Sequence, residues 1–338
     1  MLKIGLIGFS QGYYAVNYLR YLNRLKDIEI TGICDCGRND EYVRECAFIS
    51  AEDFAGEIGA PLFHNVDELL DKHPDAVLIC SETCEHVKMA KNAISRGIHT
   101  FVSKPLSFDP QEIATLLTMA HGDVRLLCGN PLKYENGIEE VRQRLERNDI
   151  GRIYSVHLMI NHAAMTGQAW ERDPARSGGP LGTYGIYLCD LIRWITGREF
   201  STIYAIGGNF GTPMIEAADT VKVAARLTDG TLCSMELFSA VRHNYPFVQM
   251  EVVAAGGTLI TRYDNYMTAS QTENGCILGA LRNNDMGAAE MEHFLDCVRY
   301  GSSERCSVQD MLEVAKVIKA VSQSLESGKE IILRGRDL

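Results

Sequence analysis

Over its first 130 residues the chain alternates short apolar runs with segments of helical periodicity, and this alternation constrains the fold more than any other feature. Strands are expected at Lys3 to Ile7, Ile28 to Cys34, Ala76 to Cys80, His99 to Val102 and Val124 to Cys128. Between the first two, Ala15, Leu19, Leu22 and Leu25 recur at helical spacing, which places a crossover helix. Val87, Ala90, Ala93 and Ile94 form a second such face, and Gly97 stands where a glycine ends a helix. Strand and helix in strict alternation predict a doubly wound parallel sheet with helices on both faces, an α/β fold.

From about Gly151 the texture changes. Val221, Val223, Ala225 and Leu227 alternate with polar residues, Asp229-Gly230 makes a two-residue turn, and Leu232 to Leu237 returns. Val248 to Ala254, Gly256-Gly257 and Thr258 to Tyr263 repeat the device. A C-terminal α+β domain with a mostly antiparallel open sheet is therefore expected, closed by helices near Gly287 to Tyr300 and Val308 to Ser327. The boundary is set at residues 1–125 and 126–338. No long linker separates the two parts.

Composition excludes several classes. With 44 acidic against 33 basic side chains the formal charge is -11, which repels nucleic acid and anionic membrane surfaces. No leader or hydrophobic spanning segment is read at the start, so a cytoplasmic address is expected. The 11 cysteines are odd in number and scattered, a pattern of reduced thiols rather than a disulfide frame. Neither CxxC nor HExxH occurs, and no metal site is expected.

In an open doubly wound sheet, ligands bind beyond the carboxyl ends of the strands. There the sequence places Gly8-Phe9-Ser10-Gln11-Gly12-Tyr13, then Asp35, Ser81 to His86, Ser103-Lys104-Pro105 and Gly129-Asn130. The first turn is a degenerate GxGxxG, with Gly8 kept, Ser10 second and Tyr13 third, and such a turn presents backbone donors to a pyrophosphate at a helix N-terminus. Asp35 follows a strand where a carboxylate accepts from an adenosine ribose, and its charge opposes a 2′-phosphate. Arg38, three residues on, would instead welcome that phosphate. NAD is therefore expected over NADP, with Ser81, Thr83, His86 and Pro105 completing the cofactor edge. For His86 a purely structural role is an equal alternative. A following proline restricts Lys104 and directs its ammonium into the crevice.

Taken together, these segments resemble the glucose-fructose oxidoreductase, inositol dehydrogenase and rhizopine-catabolism family (Gfo/Idh/MocA). The resemblance rests on the opening strand and turn, Ser81-Glu82-Thr83-Cys84-Glu85-His86, Lys104-Pro105, Gly178 through Asp190, and the helix from Glu290 with Phe294 and Leu295. It implies an N-terminal Rossmann domain, nicotinamide chemistry, a sugar, polyol or cyclitol substrate, and a homodimer or homotetramer. Members usually carry Glu-Lys-Pro, and here Ser103 replaces the glutamate while the catalytic lysine carries over to Lys104. Their second pattern, Asp-x-Gly-x-His-x-x-Asp, reads Thr183, Gly185, Tyr187 and Asp190 in this chain. Tyrosine in the histidine place is a familiar variant in branches of the family, and the resemblance implies that it is the proton donor or acceptor. Thr183 removes the carboxylate that would orient a histidine.

Hydride transfer from an alcohol carbon needs a group to take the hydroxyl proton, and a phenol with its ordinary pKa near 10 needs help at neutrality. A lysine cation beside Tyr187 would supply it. Tyr187 and Lys104 are therefore expected as the acid/base pair. Asp190, on the same helix face as Tyr187, is expected to bind a substrate hydroxyl or to pair with Arg193. Asn130, His162, Thr183 and Trp170 complete the expected substrate residues, Trp170 lying in a long loop where packing against its own domain is the stronger reading. Glu290 and His293 are read as a solvated helix face. A short-chain dehydrogenase is disfavoured because no YxxxK occurs. Two alternatives stand beside the dehydrogenase: an NAD-dependent glycosidase using transient oxidation, and a non-catalytic dinucleotide-binding regulator.

Overall fold

The computed structural model describes residues 1–119, 124–163, 168–241, 246–263, 267–272, 275–280 and 284–333. The first 131 residues run β1 (Leu2–Ile7), α1 (Gly12–Leu22), β2 (Ile28–Cys34), α2 (Asp40–Ala47), α3 (Ala51–Ile58), β3 (Leu62–Phe63), α4 (Val66–Leu70), β4 (Ala76–Ile79), α5 (Thr83–Ser95), β5 (His99–Val102), α6 (Pro110–Leu117) and β6 (Leu126–Cys128). These six strands form one parallel sheet in the order β3-β2-β1-β4-β5-β6. That order reverses direction between β1 and β4, as a doubly wound dinucleotide fold requires. The two-residue β3 carries too little pattern to be read from sequence.

The remaining elements are α7 (Asn136–Glu146), β7 (Ile153–Ala163), α8 (Ala169–Arg172), α9 (Pro174–Ser177), α10 (Ile186–Thr196), β8 (Phe200–Gly208), β9 (Thr220–Leu227), β10 (Leu232–Val241), β11 (Val248–Ala254), β12 (Gly257–Arg262), β13 (Met267–Thr272), β14 (Gly275–Ala280), α11 (Met286–Tyr300), α12 (Val308–Ser327) and β15 (Ile331–Ile332). Nine strands make the second sheet, ordered β14-β13-β12-β11-β7-β10-β9-β8-β15. Among the described residues of this sheet, only β7 and β10 pair in parallel. Along β9, β10 and β11 buried residues alternate with more exposed ones, so one face is covered, as the period of two predicts.

The chain divides into two compact units, one of Met1–Pro131, Gly167–Trp170 and Asp285–Leu312, the other of Leu132–Thr166, Glu171–Asn284 and Glu313–Leu338. This partition differs from a boundary at 126. Strand β6 is hydrogen-bonded to β5, and Cys128 N–H donates to Cys306 O, so the sixth strand and the returning helix α11 belong with the first sheet. In that unit's core, Ile4, Leu6, Ala15, Leu19 and Leu22 pack with Phe101, Met291, Phe294 and Leu295. No helix among the described residues is long and apolar enough to cross a membrane.

Candidate functional site

The carboxyl edge of the six-stranded sheet is built around Gly8. Its φ is +85°, and a Cβ there would meet Ser81 Cα at 2.8 Å, so only glycine lets β1 turn into α1 against the end of β4. Gly8 N–H donates to Cys34 O and Gln11 N–H to Cys80 O, tying the turn to both neighbouring strands. Gly12 serves packing: a Cβ there would lie 2.2 Å from Cys46 O. Phe9 points into the core, edge-on to Phe54, and offers the edge only its backbone. Tyr13 is 73% exposed. Gln11 Oε1 is buried without a hydrogen-bond partner among the described residues. A glycine cradle and the N-terminus of an 11-residue helix starting at Gly12 fit a bound pyrophosphate.

Asp35 is buried beyond β2, its Oδ1 accepting from Gly37 N–H at 2.8 Å and its Oδ2 2.7 Å from His64 Nδ1. Arg38 does not stand alone. Its Nη2 lies 3.1 Å from Glu82 and 3.0 Å from Glu85, and its Cζ is 5.1 Å from the Tyr42 ring centroid. Tyr42 Oη in turn donates to Glu82 Oε1 at 2.7 Å and lies 2.9 Å from Ser10 Oγ. Ser81 and Thr83 are buried on either side of Glu82.

His86 is fully buried, with Nδ1 2.7 Å from Pro105 O and Nε2 3.0 Å from Ser81 O. Burial pushes its pKa down to about 4, against the backbone carbonyls of Pro105 and Ser81 that favour the cation. It stitches the β4 turn to the β5 turn. At β5, Ser103 N–H and Oγ both reach Ile79 O, and the Lys104-Pro105 peptide is cis. Lys104 is only 6% exposed, its Nζ 5.9 Å from the Tyr14 ring centroid, a distance at which the ring quadrupole attracts a cation.

At β6 the structure corrects one expectation. Glu290, read as a solvated position, is 2% exposed. One carboxylate oxygen accepts from the Tyr18 hydroxyl and the other from Asn130 N–H. Helix α11 packs on α1, which brings the carboxylate to the buried end of β6 where these donors compensate its desolvation. Burial, and then the Glu290 charge, hold the Tyr18 phenol well above its ordinary pKa. His293 is half-buried and accepts from Arg305 N–H.

In the second unit, Tyr187 and Asp190 are buried on α10, 3% and 1% exposed. Asp190 lies 2.8 Å from Lys133, a partner the sequence did not offer. Arg193 pairs with Glu199 at 2.6 Å. Thr183 sits in a π-helical turn, Leu181–Gly185, with Oγ1 3.4 Å from Ser177 O. His162 stacks on Tyr184 at a ring-centroid distance of 3.9 Å, its Nδ1 2.9 Å from Ala163 O. Trp170, expected in a loop, lies in the single turn α8 and is 3% exposed, its indole N–H given to Gln168 at 2.6 Å.

Sequence reasoning missed Tyr42, His64, Glu82, Tyr18 and Lys133. Glu82 was findable, because it lies between two residues already placed on the strand-end edge. The others carry no local signal, being brought in from distant parts of the chain.

Fold and glycine turn define a dinucleotide-binding architecture. Residues 2–128 match the description "Oxidoreductase family, NAD-binding Rossmann fold", and residues 138–260 the "GFO/IDH/MocA C-terminal domain". The chain belongs to the Gfo/Idh/MocA family of NAD-binding oxidoreductases. It is 23% identical to a myo-inositol 2-dehydrogenase of Thermotoga maritima over 99% of this chain and 94% of that one. A myo-inositol dehydrogenase of Streptomyces leeuwenhoekii is 30% identical over 54% of this chain and 57% of its own length. Among solved structures, the scyllo-inositol dehydrogenase of Lactobacillus casei with bound NAD(H) and scyllo-inositol superposes with a TM-score of 0.81 at 19% identity, covering 98% of this chain and 99% of that one.

Proposed function

We propose that the protein transfers hydride between NAD and a secondary alcohol of a sugar, polyol or cyclitol, with Tyr187 as acid/base and Lys104 as its electrostatic partner. The observation that carries this reading is Lys104: a lysine buried at the carboxyl end of β5, on the edge that bears the glycine turn, against the face of Tyr14. Burying an ammonium is costly and is found where the charge is used. Inositol dehydrogenases among the relatives support the substrate class.

Bound NAD would supply the hydride acceptor or donor. In oxidation, Tyr187 Oη takes the proton of the substrate hydroxyl, and in reduction it returns it. Lys104 Nζ stabilises the negative charge that gathers on the substrate oxygen. Gly8 and the N-terminus of α1 hold the pyrophosphate, Asp35 accepts from the ribose, and Ser81, Thr83 and Pro105 frame that edge. Asn130, His162 and Thr183 are the proposed substrate contacts. Asp190, engaged by Lys133, is assigned to positioning the α10 helix that carries Tyr187.

The test is a screen for NADH-linked absorbance change over inositols, aldoses, ketoses and polyols. Activity on one of them should fall by about 10² or more in Tyr187→Phe and in Lys104→Met. Wild-type turnover in Tyr187→Phe ends the acid/base assignment. We also propose a homodimer or homotetramer, supported by Tyr204 and Ile206, which β8 leaves 43% and 56% exposed; a monomer in sedimentation at high concentration overturns it.

A further inference from the structure

The adenosine side of the first unit carries a charge arrangement that the fold does not require. Arg38 lies three residues beyond Asp35, where a guanidinium would ordinarily recognise a ribose 2′-phosphate. Here its Nη2 is shared between Glu82 Oε1 at 3.1 Å and Glu85 Oε1 at 3.0 Å. The Glu82 side chain is 1% exposed, while those of Arg38 and Glu85 are 31% and 33% exposed. Tyr42 spans the cluster, its ring under Arg38 and its hydroxyl between Glu82 and Ser10.

We propose that Glu82 and Glu85 set cofactor choice by clamping Arg38, so that the cation nearest the ribose is neutralised and a 2′-phosphate finds no partner. The inference rests on the assignment of this edge to the adenosine half of NAD. Two carboxylates, Glu82 and Glu85, hold the one guanidinium. An incoming phosphate monoester, close to doubly charged near neutrality, would have to draw Arg38 away from them. Doing so strands the buried Glu82 carboxylate without its cation, which is far costlier than breaking a surface pair. The Glu85 contact, part-exposed, contributes less. Both glutamates sit at the start of α5, Glu82 as its N-cap residue and Glu85 in its first turn, where the helix dipole tolerates their charge. The arrangement is thus stable without a ligand, and it removes the alternative, open in the sequence, that Arg38 welcomes NADP.

The experiment titrates NAD+ and NADP+ into the full chain by calorimetry, for the wild type, Glu85→Gln, and Glu82→Gln/Glu85→Gln. The wild type should prefer NAD+. Glu85→Gln should shift the NADP+/NAD+ affinity ratio several-fold towards NADP+, and the double variant by about tenfold or more, with NAD+ affinity little changed. Adding Arg38→Gln to either should cancel the gain. A wild type that prefers NADP+, or an unchanged ratio in Glu85→Gln with NAD+ still bound, overturns the proposal. Glu85 is at the surface, so that variant decides the matter even if the loss of buried Glu82 unfolds the chain. NAD+ affinity reports on the dinucleotide site itself, and the ratio on the clamp, so failure of one is distinguishable from failure of the other.

Discussion

Lys133 and Asp190 form an ion pair of 2.8 Å within the second unit, each side chain 1% exposed. Lys133 Nζ also lies 5.8 Å from the Trp194 ring centroid, and Arg142 covers the same ring at 4.2 Å. Two desolvated charges are kept together because each is the other's compensation. The pair anchors α10 one turn beyond Tyr187.

Removing one member should therefore cost more than removing both. Lys133→Met is expected to destabilise the protein by about 3–5 kcal/mol, since Asp190 is left charged and buried. Lys133→Met with Asp190→Leu should recover much of that loss. Urea unfolding of the two variants checks the order, and a double variant weaker than the single would refute it.

His86 predicts a pH-dependent stability. Its folded pKa of about 4 lies below the ordinary 6.5, so the unfolded chain binds more protons than the folded one between those values. Stability should therefore be intact above pH 6.5 and decline as pH falls towards 4, by roughly 3 kcal/mol at most from this residue. Unfolding free energies of wild type and His86→Gln measured from pH 7 to 4.5 should converge as pH falls. Parallel curves would remove His86 as the cause.

Gly8 tolerates no side chain. Gly8→Ala places a Cβ against Ser81 Cα at φ +85°, at a cost of roughly 1–3 kcal/mol, and displaces the turn that receives the pyrophosphate. Thermal unfolding should shift down and NAD+ affinity should fall together. Unchanged NAD+ affinity would mean that the turn does not hold the cofactor.

Glu290 joins helix α11 to the end of β6. Glu290→Ala leaves the Tyr18 hydroxyl and Asn130 N–H buried without their acceptor, each worth roughly 1–3 kcal/mol. Glu290→Gln keeps an acceptor and should lose clearly less. Equal stability of the two variants in denaturant would show that these hydrogen bonds contribute nothing.

Much of this protein was legible in the chain itself. Apolar runs of four to seven residues separated by amphipathic ones specify a parallel sheet, because strands buried on both faces need continuous hydrophobicity and crossover helices need one apolar face. The alternation in β9 to β11 specifies a one-sided sheet for the same physical reason. Since strand ends define the ligand edge, Gly8, Asp35, Lys104 and Asn130 could be placed on it before any coordinate was known. What tertiary structure alone decided was the pairing of charges. Arg38 meets Glu82 and Glu85 across 44 and 47 positions, Asp190 meets Lys133 across 57, and Glu290 meets Asn130 across 160. Local periodicity reports which face of an element is buried, whereas the partner of a buried charge depends on which distant elements pack there. For that reason Glu290 read as a solvated residue, and Arg38 left a 2′-phosphate open as the alternative, until packing supplied the groups that hold them.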